Sequence, residues 1–285
     1  MLISLLIPVI LATIIYAYLL FASGIGQRTK PSAEGAILGA ITNFFDTLGI
    51  GSLAPTMTWF KLRKLVPDNL SPPTMLVGYT LPTLVQAIIF MILLGVLVDP
   101  ILLAGCALAL IAGAVLGAGL VAGTRVSIVQ AVVGAALLLA AIFYALTNLG
   151  MMPAGGTANS LPLLQTSIAV AANFAFGILL NYGVGNYAPT LALLSLMGLD
   201  PRLVFPIMAV GASLAATSAS VRHLASKRID ISMASGMTLG AIPAVLVAAF
   251  LVKAMPIATL RWLVAGVVFY AALVMLRSSW RGWRT

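Results

Sequence analysis

The stretch LGIGSLAPT at 48–56 recurs as YGVGNYAPT at 182–190. Laid together, Gly49, Gly51, Ala54, Pro55 and Thr56 fall on Gly183, Gly185, Ala188, Pro189 and Thr190. Each copy interrupts an otherwise apolar region, 35–65 in the first case and 163–198 in the second. A glycine inside a helix is about 1 kcal/mol worse than alanine. Two of them in alternate positions, with a proline soon after, predict a real break. The piece after the first break, 53–65, would be only about 20 Å long at 1.5 Å per residue. That is well below the roughly 30 Å of a bilayer's hydrocarbon core. Both regions are therefore expected to be re-entrant helical hairpins that turn near mid-membrane.

The surrounding chain fits that setting. Of its 285 residues, 62% are hydrophobic and 7% are charged, against about 25% charged in a soluble domain. Seven further segments carry enough consecutive apolar residues to span: 2–22, 71–97, 100–122, 126–147, 201–222, 231–252 and 258–277. They do not alternate as barrel strands would, and lipid demands internally satisfied backbone, so they are expected to be helices. The first begins directly after Met1, with no basic leader and no clear cleavage site, and is read as a retained span rather than a signal peptide.

Charge sets the expected topology. With two hairpins and seven spans, all the lysines and arginines except Arg202, Lys253 and Arg261 fall on one side. The positive-inside rule makes that side cytoplasmic, with the N-terminus outside and the C-terminus within. A full crossing by either broken region would largely abolish the asymmetry. The formal charge of +9 is therefore a topology signal and not a nucleic-acid surface. Trp280 and Trp283, set among arginines, read as an interfacial anchor.

The repeat extends beyond the breaks. Pro67 falls on Pro201, and LVGYTL at 76–81 aligns with AVGASL at 209–214 after a one-residue insertion. Each half is then one hairpin plus three spans, and an odd number of spans inverts the second half. The expected fold is an all-α integral membrane protein with an inverted-topology repeat. An N-terminal span and basic loop occupy 1–30, the first repeat 31–150, an outer linker 151–161, and the second repeat with a basic C-terminus 162–285.

Discontinuous helices of this kind place a binding site near the midplane. The second arm of each hairpin would begin near Ser52 and Asn186. A helix start has unsatisfied N–H donors and roughly +0.5 charge, and both favour an anion. Gly49, Gly51, Gly183 and Gly185 would let backbone approach the ligand closely. Asn43, Thr47, Ser52 and Thr56 would line the first break, and Asn181, Tyr182, Asn186, Tyr187 and Thr190 the second. Thr80 and Ser213 could add hydroxyls from neighbouring spans. Ser52 and Asn186 are also favoured N-cap types, so capping alone would explain them.

Asp46 is the one acid well inside a predicted segment; Glu34, Asp68, Asp99, Asp200 and Asp230 fall at segment ends. An ionisable group at membrane depth is a functional candidate. It could carry a proton in exchange with the anion, or it could simply bond the broken backbone near Gly49. Arg202 could draw anions to the outer mouth, or anchor its span at the interface. Arg222 and His223 open a basic cytoplasmic segment, a topology feature that could also gather anions.

These motifs resemble the TauE/SafE sulfite exporter family, which includes transporters like the 4-toluene sulfonate uptake permease. Its members carry, twice, a glycine-rich hairpin with a following proline, a short helix, an L-x-P-like turn and a helix opening with a V-G-T-S-like stretch. Here GLDPR at 198–202 and AVGASL match the second copy, and VPDNL at 66–70 with LVGYTL matches the first more loosely. The likeness runs from about Gly35 to Leu276. The chain departs from it in GIGS and GVGN, where adjacent glycines are usual, and in Tyr79-Thr80 and Ala212-Ser213, where the family has T-S. The resemblance implies export of sulfite, sulfonates or related small anions from a bacterial-type inner membrane, without a cofactor.

A carrier or channel for a carboxylate or a cation, with Asp46 as cation ligand, is the competing reading. An enzyme is disfavoured: one histidine, one cysteine (Cys106) and one deep carboxylate make no nucleophile–base or metal set. The chain contains no Walker A sequence for driving transport with nucleotide.

Overall fold

The computed structural model describes residues 2–26, 29–67, 69–94, 97–117, 125–151, 156–180 and 185–282. Among them are eleven helices: α1 (Leu2–Gly26), α2 (Ala33–Thr47), α3 (Leu53–Arg63), α4 (Ser71–Leu93), α5 (Pro100–Gly117), α6 (Val126–Asn148), α7 (Leu163–Leu180), α8 (Tyr187–Leu196), α9 (Pro201–Ser226), α10 (Ile231–Ala254) and α11 (Ile257–Gly282). The described residues form no strand; Ala158 and Leu199 make one isolated bridge. Expected residues Arg28, Asp68, Asn181, Tyr182, Gly183, Trp283 and Arg284 lie outside the described set.

The all-α membrane class is as expected. Eight described helices are long and apolar enough to cross a bilayer: α1, α4, α5, α6, α7, α9, α10 and α11. Ile14, Ile37, Leu108, Val132, Leu164, Val247 and Leu273 are exposed, while Thr42, Asn43, Thr56, Thr80 and Gln86 are buried. Apolar outside and polar inside suits a lipid solvent. The eighth candidate is α7, which the sequence reading takes as a hairpin arm. It has 18 residues, where its counterpart α2 has 15.

The chain divides into two units. The first contains Met1–Leu93 and Ser213–Leu251, the second Leu94–Ala212 and Val252–Thr285. The first therefore holds α1–α4 with the second half of α9 and nearly all of α10. The second holds α5–α8, the first half of α9 and α11. α5, from early in the chain, is thus grouped with the second hairpin, and α10, from late in the chain, with the first.

Glycines explain these partnerships. In the first unit, an added Cβ on Gly39 would lie 2.2 Å from the Met237 carbonyl oxygen, and one on Gly240 would lie 1.8 Å from that of Ala36. The α2 and α10 backbones therefore touch, as small residues permit between membrane helices. In the second unit, Gly113 and Gly177 bring α5 and α7 equally close, with added Cβ atoms 2.0 Å from the Phe174 oxygen and 2.1 Å from the Leu110 oxygen. Leu38, Phe60, Met75, Tyr79, Met233 and Met237 pack into one apolar cluster in the first unit.

Pro82 lies inside α4. It has no N–H to give to the carbonyl four residues back and crowds that turn. Thr238 on α10 donates its hydroxyl to the Gly78 carbonyl at 2.7 Å, and Tyr16 on α1 donates to the neighbouring Val77 carbonyl at 2.8 Å. The carbonyl freed by the proline thereby fastens α4 to α10, and the one before it ties α4 to α1.

Candidate functional site

The first break is the tip of a closed hairpin; the second lies at 181–184, outside the described residues, between two arms whose other ends are joined. In the first unit, Glu34 in the first turn of α2 accepts hydrogen bonds from Arg63 Nε and Trp59 Nε1 near the end of α3, both at 3.1 Å. Arg63, then Trp59, holds the Glu34 carboxyl below its ordinary range. In the second unit, the residues before α7 pair with those after α8. Ala158 N–H donates to the Gly198 carbonyl at 3.1 Å, and Asp200 N–H to the Ala158 carbonyl at 2.9 Å. With open ends joined, each break lies at the far end of its hairpin. α2 and α3, of 15 and 11 residues, are about 22 and 16 Å long. Neither arm crosses the roughly 30 Å core.

The first tip is built by glycine geometry. Gly49 and Gly51 have φ of +98° and +88°, a region costly to any residue with a Cβ. Gly49 N–H donates to the Asp46 carbonyl at 2.8 Å, and Ser52 N–H donates to Asp46 Oδ1 at 2.8 Å. The carboxylate thus caps α3 from across the break, which realises the local backbone bond weighed from sequence. Three other acids do likewise: Asp99, Asp200 and Asp230 accept from Ile101, Arg202 and Met233 N–H groups. Ser52 occupies the N-cap position of α3 without a side-chain cap bond. The ladder starts at Thr56 N–H, which donates to the Ser52 carbonyl, and Pro55 in the first turn forfeits no ladder bond. An added Cβ on Gly51 would meet nothing within 4 Å.

A hydroxyl relay backs this tip. The Tyr79 hydroxyl bonds Thr42 Oγ1 at 2.8 Å and also bonds Thr56 Oγ1. Thr56 and Thr42 pass hydrogen bonds on to the Ser52 and Leu38 carbonyls. Thr47 donates to the Asn43 carbonyl, and Asn43 donates Nδ2 to the Gly39 carbonyl while its buried Oδ1 has no partner. Thr80 faces elsewhere: its hydroxyl pairs with Ser220 at 2.6 Å, beside Tyr16. Ser213 is buried in the first unit, and its carbonyl accepts from Thr217.

The second tip repeats the outline with different chemistry. Asn186 is the N-cap residue of α8 and also lacks a side-chain cap bond; it donates Nδ2 to the Met208 carbonyl of α9 at 3.3 Å. Thr190 N–H opens the ladder to the Asn186 carbonyl, and its hydroxyl donates to Asn173 Oδ1 on α7 at 3.2 Å. Tyr187 is buried. Gly185 is exposed, and an added Cβ there would meet nothing within 4 Å. Asn186 stands where Ser52 stands, but the α8 start receives no described carboxylate. Arg202 donates Nη2 to the Met255 carbonyl at 2.6 Å, so it fastens the α10–α11 turn.

The sequence reading passed over Tyr79 as a hub, and with it Tyr16, Thr42, Asn173, Ser220 and Thr238. Gln86 was also missed: it is fully buried on α4, and neither amide atom has a partner. A polar amide in an apolar span is the signal that marks it. Comparison with protein-family models, curated proteins and solved structures finds no match for this chain.

Proposed function

We propose that the chain is a secondary transporter for a small anion, a sulfur oxyanion or organosulfonate, working as an exporter by alternating access between inverted repeats. One observation carries the reading: each unit has a hairpin whose second arm, α3 of 11 residues or α8 of 10, is too short to span and begins beside the break, with buried hydroxyls and amides behind it. A helix start at membrane depth favours an anion. The order of elements supports the repeat, since a hairpin with a short second arm and then three long helices follow α1 twice. The sulfur class rests on the motif resemblance alone.

Asp46 gives the reading a coupling step. Its carboxylate holds the Ser52 N–H at the α3 start, so when ionised it competes with an incoming anion for the same positive end. Protonation removes that competitor. Proton and anion therefore bind together at the first tip, which is co-transport and not the exchange expected from the sequence, and export then follows the outward gradient of the anion itself; the second tip has no described acid of its own. A cation carrier would need the Asp46 carboxylate for its cargo, but that group already caps a helix start.

Lysine and arginine bias supports a cytoplasmic C-terminus, and the motif resemblance supports a bacterial-type inner membrane. The test is thermal stabilisation of the purified protein by sulfite, sulfate, thiosulfate, taurine and sulfoacetate, followed by efflux of the best binder from proteoliposomes. Stabilisation by a monovalent cation and by none of these anions would sink the proposal.

A further inference from the structure

A second polar place lies in the second unit, at the end where α6 and α8 finish and α9 and α11 begin. A cavity of about 60 Å³ is lined there by Tyr144, Thr147, Asn148, Gly156, Ser195 and Arg261, among others. Tyr144 and Ser195 are 5% and 4% exposed. The Tyr144 hydroxyl sits by the Ser195 side chain and within the field of Arg261. Yet Asn148 Nδ2 lacks a hydrogen-bond partner, and the Tyr144 hydroxyl and Ser195 Oγ have none beyond each other. A buried polar group without a partner is destabilising. Three polar groups with so few partners around one cavity are costly unless the cavity has an occupant.

Charge selects the occupant. No acidic side chain is among the lining residues. Arg261 brings a permanent positive charge and is held in place by donating Nη2 to the Gly156 carbonyl at 3.2 Å. Two helices end here and two begin, so their dipoles largely offset, and the guanidinium decides the sign. The volume is several times the roughly 10–15 Å³ that one water needs. We infer that this cavity binds a compact inorganic monoanion, held by the Tyr144 and Ser195 hydroxyls and the Asn148 amide beside Arg261.

This inference stands apart from the transport reading, because Ser195 is at the opposite end of α8 from Asn186. Bromide is the probe. In crystals soaked with it, an anomalous peak is expected inside the cavity. In solution, bromide should raise the melting temperature relative to gluconate at equal ionic strength. In the double variant Tyr144→Phe, Ser195→Ala, at least ten times more bromide should be needed for the same rise. The variant itself should melt close to wild type without bromide, since it loses no hydrogen bond beyond the Tyr144–Ser195 contact. Absence of a peak from the cavity, or an unchanged bromide midpoint in the variant, overturns the inference. Should the variant fail to fold, the wild-type peak position decides. Lost transport with bromide retained, or the reverse, tells this site's failure from that of the hairpin tips.

Discussion

Replacing Asp46 by asparagine isolates the electrostatic part of the proposed coupling. The variant keeps an oxygen that can accept from Ser52 N–H, so the cap bond survives in neutral form. A charge-assisted bond is worth about 1.5–3 kcal/mol and a neutral one about 0.5–1.5, so the fold should lose only about 1 kcal/mol. The effect on an anion should be larger. An anion on the next N–H groups of the α3 start would lie about 5 Å from a carboxylate on Ser52 N–H. At an effective dielectric constant of about 20, two like charges at that separation repel by about 3 kcal/mol, or roughly a hundredfold in affinity. The assay is the dissociation constant of methanesulfonate, whose own charge stays fixed, measured against pH. In the wild-type protein affinity should fall about a hundredfold as pH rises and Asp46 ionises. In Asp46→Asn it should stay at the tight plateau throughout. A wild-type slope surviving in the variant would refute the competition argument.

Four further outcomes follow from packing and bonding in the first unit. Thr238→Val removes the donor serving the carbonyl freed by Pro82 and should cost about 0.6–2 kcal/mol in thermal unfolding, with a second loss of similar size on adding Tyr16→Phe. Gly240→Ala puts a methyl group 1.8 Å from the Ala36 oxygen; the helices must part, and about 1–3 kcal/mol or more should be lost, whereas an unchanged melting temperature would show the seam to be soft. Gln86→Leu removes two unpartnered buried atoms and should raise stability by about 1–3 kcal/mol; a simultaneous loss of transport would assign the amide to the substrate path. The clasp at Glu34 has a definite pH sense. Its carboxyl is held below the ordinary value, so the contribution is present at neutral pH and is lost as pH falls through that lowered value. Amide exchange at the end of α3 should quicken on that acid side only.

The tips were legible because their cause is local. Gly49, Gly51 and Pro55 act on their own backbone, and the chain bends where they say it should. The acids were legible as segment ends for the same reason, since Asp99, Asp200 and Asp230 each cap a helix they precede. Asp46 was legible as unusual, but not as a cap reaching six residues ahead. Partner choice was hidden. Gly35 and Gly39 show the G-x-x-x-G spacing, as do Gly236 and Gly240, but spacing says that a face is flat and not which face it meets. The Tyr79 relay was hidden too, because it joins α2, α3 and α4 through hydroxyls whose direction only packing fixes.

The grouping of α10 with α1–α4 has a consequence for how the protein is made. The flat glycine face of α2 emerges early from the ribosome, but its cover is roughly 200 residues further along. At about 5–20 residues per second, the nascent chain waits on the order of 10–40 s before that seam can close. During that interval α2 and α3 have no permanent neighbour on one side. A chaperone of the insertion machinery, or lipid itself, must shield them. A transcript cut short after α9 would therefore leave the amino-terminal bundle unfinished, although every residue of its hairpin had already been synthesised.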